Sequence, residues 1–180
     1  EEICSEEGSL SRPATLYGNC KHDLQLKANT FCEKYQLSFC WGRIFFVYGP
    51  HEHPARLIPS VINSLLNKKT AECTHGKQYR DLLYVEDVAS GFVALLCNKV
   101  TGVVNIGSGE SRMLRNIIET IGEKIDCPEL IRLGSIPSRP GDPINLVADI
   151  SKLRRESGWS PNFVLDSGLD KTIQWWKGLI

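Results

Sequence analysis

Leu37-Ser38-Phe39-Cys40-Trp41-Gly42-Arg43-Ile44-Phe45-Phe46-Val47-Tyr48 is rich in aromatic and branched residues and ends at Gly49-Pro50. Its later part, Ile44 to Tyr48, is an unbroken apolar run, the pattern of a strand buried on both faces. Upstream, from about Leu16 to Tyr35, Leu24, Ala28, Phe31 and Cys32 recur at three- and four-residue steps and predict a helix. Before it, the stretch to Pro13 is polar and reads as extended or loop. Downstream, Leu57, Val61, Leu65 and Leu66 fall on one side of a helix over 57–68. Residues 71–74 and 79–85 read as a strand pair with His75-Gly76-Lys77-Gln78 as its turn. Glu86 to Cys97 is helical and apolar, and Val103 to Ile106 is a second short buried strand closed by Gly107-Ser108-Gly109. An amphipathic helix over Arg112–Lys124, a strand at Ile131–Leu133 and a helix over Leu165–Trp176 complete the chain, the last turning Leu165, Leu169, Ile173 and Trp176 inward. Strands alternating with helices predict an α/β protein with at least part of a parallel sheet. No internal repeat or low-complexity linker marks a domain boundary.

Composition narrows the function. Of 180 residues, 42% are hydrophobic and 23% charged, the balance of a globular protein. Lysine plus arginine (21) equals aspartate plus glutamate (21), which removes the broad basic field of a general nucleic-acid binder. No apolar run reaches the roughly 18 residues of a membrane span, and the acidic opening Glu1 to Glu7 does not resemble a signal peptide. Seven cysteines, an odd number with no Cys-x-x-Cys pair, argue against a disulfide framework and predict reduced thiols in a cytoplasmic protein. His51-Glu52-His53, set between Pro50 and Pro54, reads as a loop; two histidines do not complete a zinc shell, so no metal is expected.

Two constellations carry chemistry. Tyr17 and Lys21 lie four residues apart, on one face of the predicted helix. A cation beside a phenol favours the phenolate and suits it to proton transfer, although the same spacing also arises by chance in many helices. The second is cationic: Arg80-Asp81 at the start of a strand, and Arg139-Pro140-Gly141-Asp142 in a loop. Arginine grips phosphate with a planar fork of donors, and carboxylates accept from ribose hydroxyls, so the two would suit a nucleoside diphosphate; two surface ion pairs would leave the same trace. Ile106-Gly107-Ser108-Gly109-Glu110 lacks the glycine spacing of a dinucleotide loop and the Gly-Lys-Ser/Thr of a P-loop, and reads as a turn.

In this order the pieces resemble the extended short-chain dehydrogenase/reductase family, specifically its NAD-dependent nucleotide-sugar epimerases, dehydratases and ketoreductases. The likeness rests on Leu16 to Lys21, Arg43 to Pro50, Arg56-Leu57-Ile58-Pro59, Gly76 to Ala89, Val104 to Glu110, Arg139 to Asp142 and Gly158-Trp159-Ser160-Pro161. It implies the C-terminal part of a Rossmann-type parallel sheet plus a small mixed α/β substrate-binding domain. It implies Tyr17 as catalytic acid/base and Lys21 as its partner on the nicotinamide ribose, with NAD or NADP as cofactor. Tyr48, Gly49 and Pro50 would line the nicotinamide side of the cleft. Leu57, Ile58 and Pro59 would pack beside the nucleotide base, Arg80 and Arg139 would hold the diphosphate, and Asp142 would reach the ribose. Helix 17–35 would pair across a homodimer.

The family's glycine-rich dinucleotide turn is absent from this sequence, as is a serine or threonine suitably upstream of Tyr17. The chain is therefore expected to be the C-terminal part of a larger enzyme, with roughly 100 residues or more of nucleotide-binding half preceding it, and to be inactive alone. Phe46 stands where many relatives carry a substrate-contacting asparagine. The competing expectation is a non-catalytic nucleotide-sugar-binding module without a redox half. Reaction subtype, nucleotide and sugar stay open.

Overall fold

In the computed structural model, which describes residues 3–8, 13 and 15–179, strand and helix alternate along the chain. The order is β1 (Ile3–Cys4), α1 (Leu16–Lys34), β2 (Cys40–Ile44), β3 (Phe46–Tyr48), α2 (Leu57–Leu66), β4 (Ala71–Cys73), β5 (Tyr79–Arg80), β6 (Leu82–Tyr84) and α3 (Val85–Cys97). It continues with β7 (Gly102–Ile106), β8 (Arg112–Met113), α4 (Leu114–Ile125), a 3-10 turn at Pro128–Leu130, β9 (Ile131–Leu133), β10 (Asn145–Ala148), α5 (Ser151–Ser157) and α6 (Leu165–Lys177). Every predicted helix is present. β8, β10 and α5 are additional, β8 taking the two residues expected to open the helix over Arg112–Lys124: these segments are too short to show a period in the sequence.

Pairing is parallel throughout except between β5 and β8. β2 pairs with β7, β3 with β6, β4 with β9, and the fourth sheet runs β1-β10-β5-β8. This is the expected α/β architecture with a parallel-rich sheet. Two expectations are corrected. The apolar run 44–48 is not one strand: Phe45 N–H donates to the Ile106 carbonyl (3.0 Å) and Phe46 N–H to the Asp81 carbonyl (3.2 Å), so the chain changes partner between them. Segments 71–74 and 79–85 do not form a hairpin, because β4 finds β9 while β5 and β6 find β10 and β3. The intervening turn packs on the start of α4 instead. Arg115 N–H donates to the Gly76 carbonyl (2.8 Å), and Gly76 has φ +64°, where a Cβ would lie 2.9 Å from the Arg115 nitrogen.

Two apolar clusters share one wall. Ile62 and Leu65 of α2, Ile117, Ile118 and Ile121 of α4, and Leu169 and Ile173 of α6 fill the first. Leu83, Val88, Leu95, Val104, Ile106, Leu153 and Trp159 fill the second. The paired strands β3 and β6 stand between them. Tyr48 and Tyr84 point into the first cluster, Val47 and Leu83 into the second, as the two-residue period of a strand requires.

Buried carboxylates fasten the turns around this wall. Asp81, with no exposed surface, accepts from Ser108 N–H (2.6 Å), Ser108 Oγ (2.7 Å), Gly109 N–H (2.9 Å) and Ala148 N–H (3.1 Å). Asp87 does the same for the 162–163 turn, accepting from Asn162 N–H (2.9 Å) and Phe163 N–H (3.0 Å).

α1 is different. It is capped by Thr15, whose Oγ1 accepts from Gly18 N–H (3.1 Å), yet none of its residues is buried. Its half-covered face is Gly18, His22, Gln25, Ala28 and Cys32. Leu24 and Phe31, whose spacing predicts the helix, are exposed, together with Tyr17 and Tyr35. These four make an outward apolar stripe at helical spacing.

Candidate active site

A cleft of about 720 Å³ opens between β3, the loop leading into α2, strands β5 and β6, and the 134–144 loop. Phe45, Phe46, Val47, Leu57, Leu82 and Leu114 make one wall apolar; Glu52, Arg56, Gln78, Arg80, Arg139 and Asp142 supply the polar groups. Such a surface, apolar with a few convergent charges, is the usual form of a small-molecule site.

Arg80 is the most constrained of these side chains, with 4% of its surface exposed. Its Nη2 pairs with Asp142 Oδ1 at 2.7 Å, and Nη1 donates to the carbonyls of Tyr79 (2.8 Å), Pro143 (2.8 Å) and Ile144 (3.4 Å). The guanidinium lies over the Phe46 ring, 5.4 Å from its centroid. Gln78 Nε2 donates to Asp142 Oδ2 (3.1 Å), and Gln78 Oε1 is buried without a partner. The two arginine–aspartate pairs adjacent in sequence are thus one constellation in space. Arg80 pairs with Asp142, Asp81 is withdrawn to clamp the 108–109 turn, and Arg139 is exposed, its guanidinium in no ion pair among the described residues.

Glu52 lies at the cleft edge with its Oε2 buried and unpartnered. Burial pushes its carboxyl up to about 7, against the opposing pull of the Arg56 guanidinium. A carboxyl raised on folding binds a proton that the unfolded chain releases. Its contribution is therefore lost as pH rises from about 4.5 to about 7. Glu52→Gln is expected to be more stable than wild type at pH 8, by about 1 kcal/mol once solvent screening of this half-buried group is allowed for, with the difference vanishing near pH 4. Urea unfolding of both proteins across that range checks it.

Of the expected site residues, the structure brings Leu57, Ile58, Arg80, Arg139 and Asp142 together on the cleft. Pro59 is buried in the first turn of α2, outside the lining. Tyr48, expected to line the cofactor side, is core: its hydroxyl donates to the Leu165 carbonyl (3.3 Å), Gly168 packs on its ring, and burial drives its phenol upward from the ordinary range. Gly49 is buried beside it, and Pro50 borders a shallow groove with Tyr84, Lys171 and Trp175. Tyr17 and Lys21 are not among the residues lining the cleft; they stand on exposed α1, with the Lys21 ammonium 5.7 Å from the Tyr17 ring centroid. That donor set, a phenol and an ammonium side by side on an open face, fits a nicotinamide ribose. Among the described residues there is no group of three ligating side chains for a metal ion and no helix long and apolar enough to cross a membrane.

Sequence reasoning missed Glu52, Gln78 and Phe45 as cleft residues. The signal available for Glu52 was its place in a proline-bracketed loop immediately before an amphipathic helix.

Comparison with known proteins agrees with the architecture. Residues 1–107 match the sequence model described as the NAD dependent epimerase/dehydratase family. The dTDP-glucose 4,6-dehydratase of Escherichia coli is 32% identical over 143 residues, 72% of this chain and 39% of that protein. The CDP-abequose synthase of Salmonella muenchen is 28% identical over 156 residues, 85% of this chain and 53% of that protein. The chain thus spans about half, or less, of the length of these curated relatives. The crystal structure of UDP-glucuronic acid 4-epimerase from Bacillus cereus, in complex with UDP-glucuronic acid and NAD, superposes with a TM-score of 0.89 at 28% identity, covering 100% of this chain and 58% of that one. With more than half of its residues inside the family match, this chain belongs to the NAD dependent epimerase/dehydratase family.

Proposed function

We propose that the chain provides the nucleotide-sugar cleft and the Tyr17–Lys21 pair of an NAD(P)-dependent epimerase, dehydratase or ketoreductase, with the remaining dinucleotide-binding half supplied by residues outside this sequence. The observation that carries the reading is the cleft itself, where an apolar wall for a base or sugar ring meets the guanidinium groups of Arg56, Arg80 and Arg139. The first two relatives named above act, by their names, on nucleotide-linked sugars, which supports the same substrate class here.

Each residue then has a task. Arg80, held by Asp142 and three carbonyls, presents a fixed positive charge to the diphosphate, and Arg139 reaches it from the loop. Leu57 and Ile58 give the base an apolar floor, with Pro59 fixing the first turn of α2 beneath them. Asp142 keeps the second fork of its carboxylate beside Gln78, close to where a ribose would lie. Tyr17 takes the proton of the reacting sugar hydroxyl as its carbon loses hydride, and returns it on reversal. Lys21, its ammonium 5.7 Å from the Tyr17 ring centroid, binds the nicotinamide ribose beside the phenol. The nicotinamide, when bound, supplies the hydride acceptor. The outward apolar positions further along the helix, Leu24, Phe31 and Tyr35, form the face through which α1 would meet a second copy in a homodimer. The chain alone would be inactive.

Arg139→Ala tests the cleft. The residue is exposed and unpaired, so folding should be unaffected, while nucleotide-sugar binding measured by calorimetry should weaken by roughly 1.5–3 kcal/mol. Unchanged affinity would place the phosphates elsewhere.

A further inference from the structure

We propose that Glu52 is a charge-selecting residue of the cleft, one that admits a diphosphate-bearing ligand with its carboxyl protonated and resists it when ionised. The inference rests on the nucleotide-sugar reading of the cleft. Glu52 lines the same space as Arg56, Arg80 and Arg139, yet its Oε2 is buried without a hydrogen-bond partner and it joins no ion pair among the described residues. None of the arginines lining the cleft forms an ion pair with it among the described residues. Arg80 is committed to Asp142 and to three backbone carbonyls, Arg139 belongs to the facing loop, and Arg56, one turn along its own segment, offsets its burial only in part. The remaining titratable groups facing the cleft are His53 on the same loop, whose Nδ1 accepts from Ala55 N–H (3.2 Å), and Asp142, already shared between Arg80 and Gln78. Glu52 is thus the one carboxyl of the lining with no donor of its own.

A buried carboxylate without a partner is costly, and a second anion entering the same space raises that cost. Its protonation midpoint near 7 in the empty cleft means that the ligand's negative charge selects the neutral acid and draws in a proton. In the limit where only the neutral form binds, apparent affinity falls about tenfold between pH 6 and pH 8. A nucleotide-sugar is the suitable probe, because its diphosphate is esterified at both ends and does not titrate in this range.

The experiment is titration calorimetry with UDP-glucuronic acid, on the protein in the form its natural source makes, at several pH values and in two buffers of different ionisation enthalpy. The expected result is affinity about tenfold weaker at pH 8 than at pH 6, with net proton uptake on binding near pH 7.5. Glu52→Gln, isosteric and neutral, should bind at pH 8 as tightly as the wild type does at pH 6, with no proton uptake. A pH dependence that persists unchanged in Glu52→Gln assigns the effect to His53 and overturns the proposal. Tight binding with no pH dependence in either protein overturns it as well, while leaving the cleft reading intact. Failure of both proteins to bind UDP-glucuronic acid or UDP-glucose at any pH, with their fold confirmed by circular dichroism, removes the cleft reading and the proposal together.

Discussion

Tyr17→Phe is expected to lower turnover of a nucleotide-sugar by about 10²- to 10⁴-fold, the range supplied by a positioned proton-transfer group. Affinity for the nucleotide-sugar should change little, because Tyr17 stands on α1 and the cleft is built without any residue of that helix. The substitution removes one oxygen and leaves the ring, so the outward apolar stripe and the neighbouring Lys21 ammonium, 5.7 Å from the ring centroid, are preserved. Steady-state kinetics on the naturally produced protein, paired with calorimetry, separates the two effects. A fall in kcat with an unchanged dissociation constant is the signature of a group acting in the transition state. Unchanged turnover would remove Tyr17 from catalysis and leave the nucleotide-binding module as the better description.

Asp81→Ala carries the largest expected cost in stability, on the order of 4 kcal/mol. The carboxylate has no exposed surface and receives four donors, from Ser108 backbone and hydroxyl, Gly109 and Ala148. Removing it strands three buried or half-buried N–H groups, each worth about 1–3 kcal/mol when unsatisfied. That approaches the whole stability of an ordinary domain, about 5–15 kcal/mol. The urea midpoint is the direct measure. Asp81→Asn should recover only part of the loss, since an amide offers one acceptor oxygen where the carboxylate offers two. A shift below about 1 kcal/mol for the alanine variant would mean that water or the backbone replaces the clamp at little cost.

Much of the fold was legible because helices announce themselves by period. The stretches carrying α2, α3, α4 and α6 have their apolar positions on one side, and the structure buries those sides. Strand partners were not legible. Two- and three-residue strands such as β5 and β6 carry no register information, and the Gly76 turn that resembles a hairpin is occupied by the start of α4. The apolar run 44–48 marked strand, but of its residues only Tyr48 is buried and Ile44 is exposed, and composition cannot reveal that Phe45 and Phe46 bond to different neighbours.

The site divides in the same way. Arg80, Arg139 and Asp142 were recognisable by residue type, whereas the exchange of partners that joins Arg80 to Asp142 and sends Asp81 inward depends on contacts 62 and 27 residues apart. That Leu24 and Phe31 face outward was not legible for a simpler reason. A helical period shows that one face is apolar, and it is silent on whether the covering surface comes from the same chain segment, from elsewhere in the protein or from another molecule.

That open helix has a kinetic consequence. A 19-residue helix containing Gly18, Asn19, Asn29 and Thr30, with no buried residue, is near the length at which isolated helices are marginal in water. Its amides should exchange with solvent far faster than those of α4, and they should slow only once the exposed Leu24, Phe31 and Tyr35 are covered. The residues proposed to move the proton would then be rigid only in the assembled state. Docking of α1 would act as a check on assembly, keeping an incomplete particle from beginning chemistry that it could not finish.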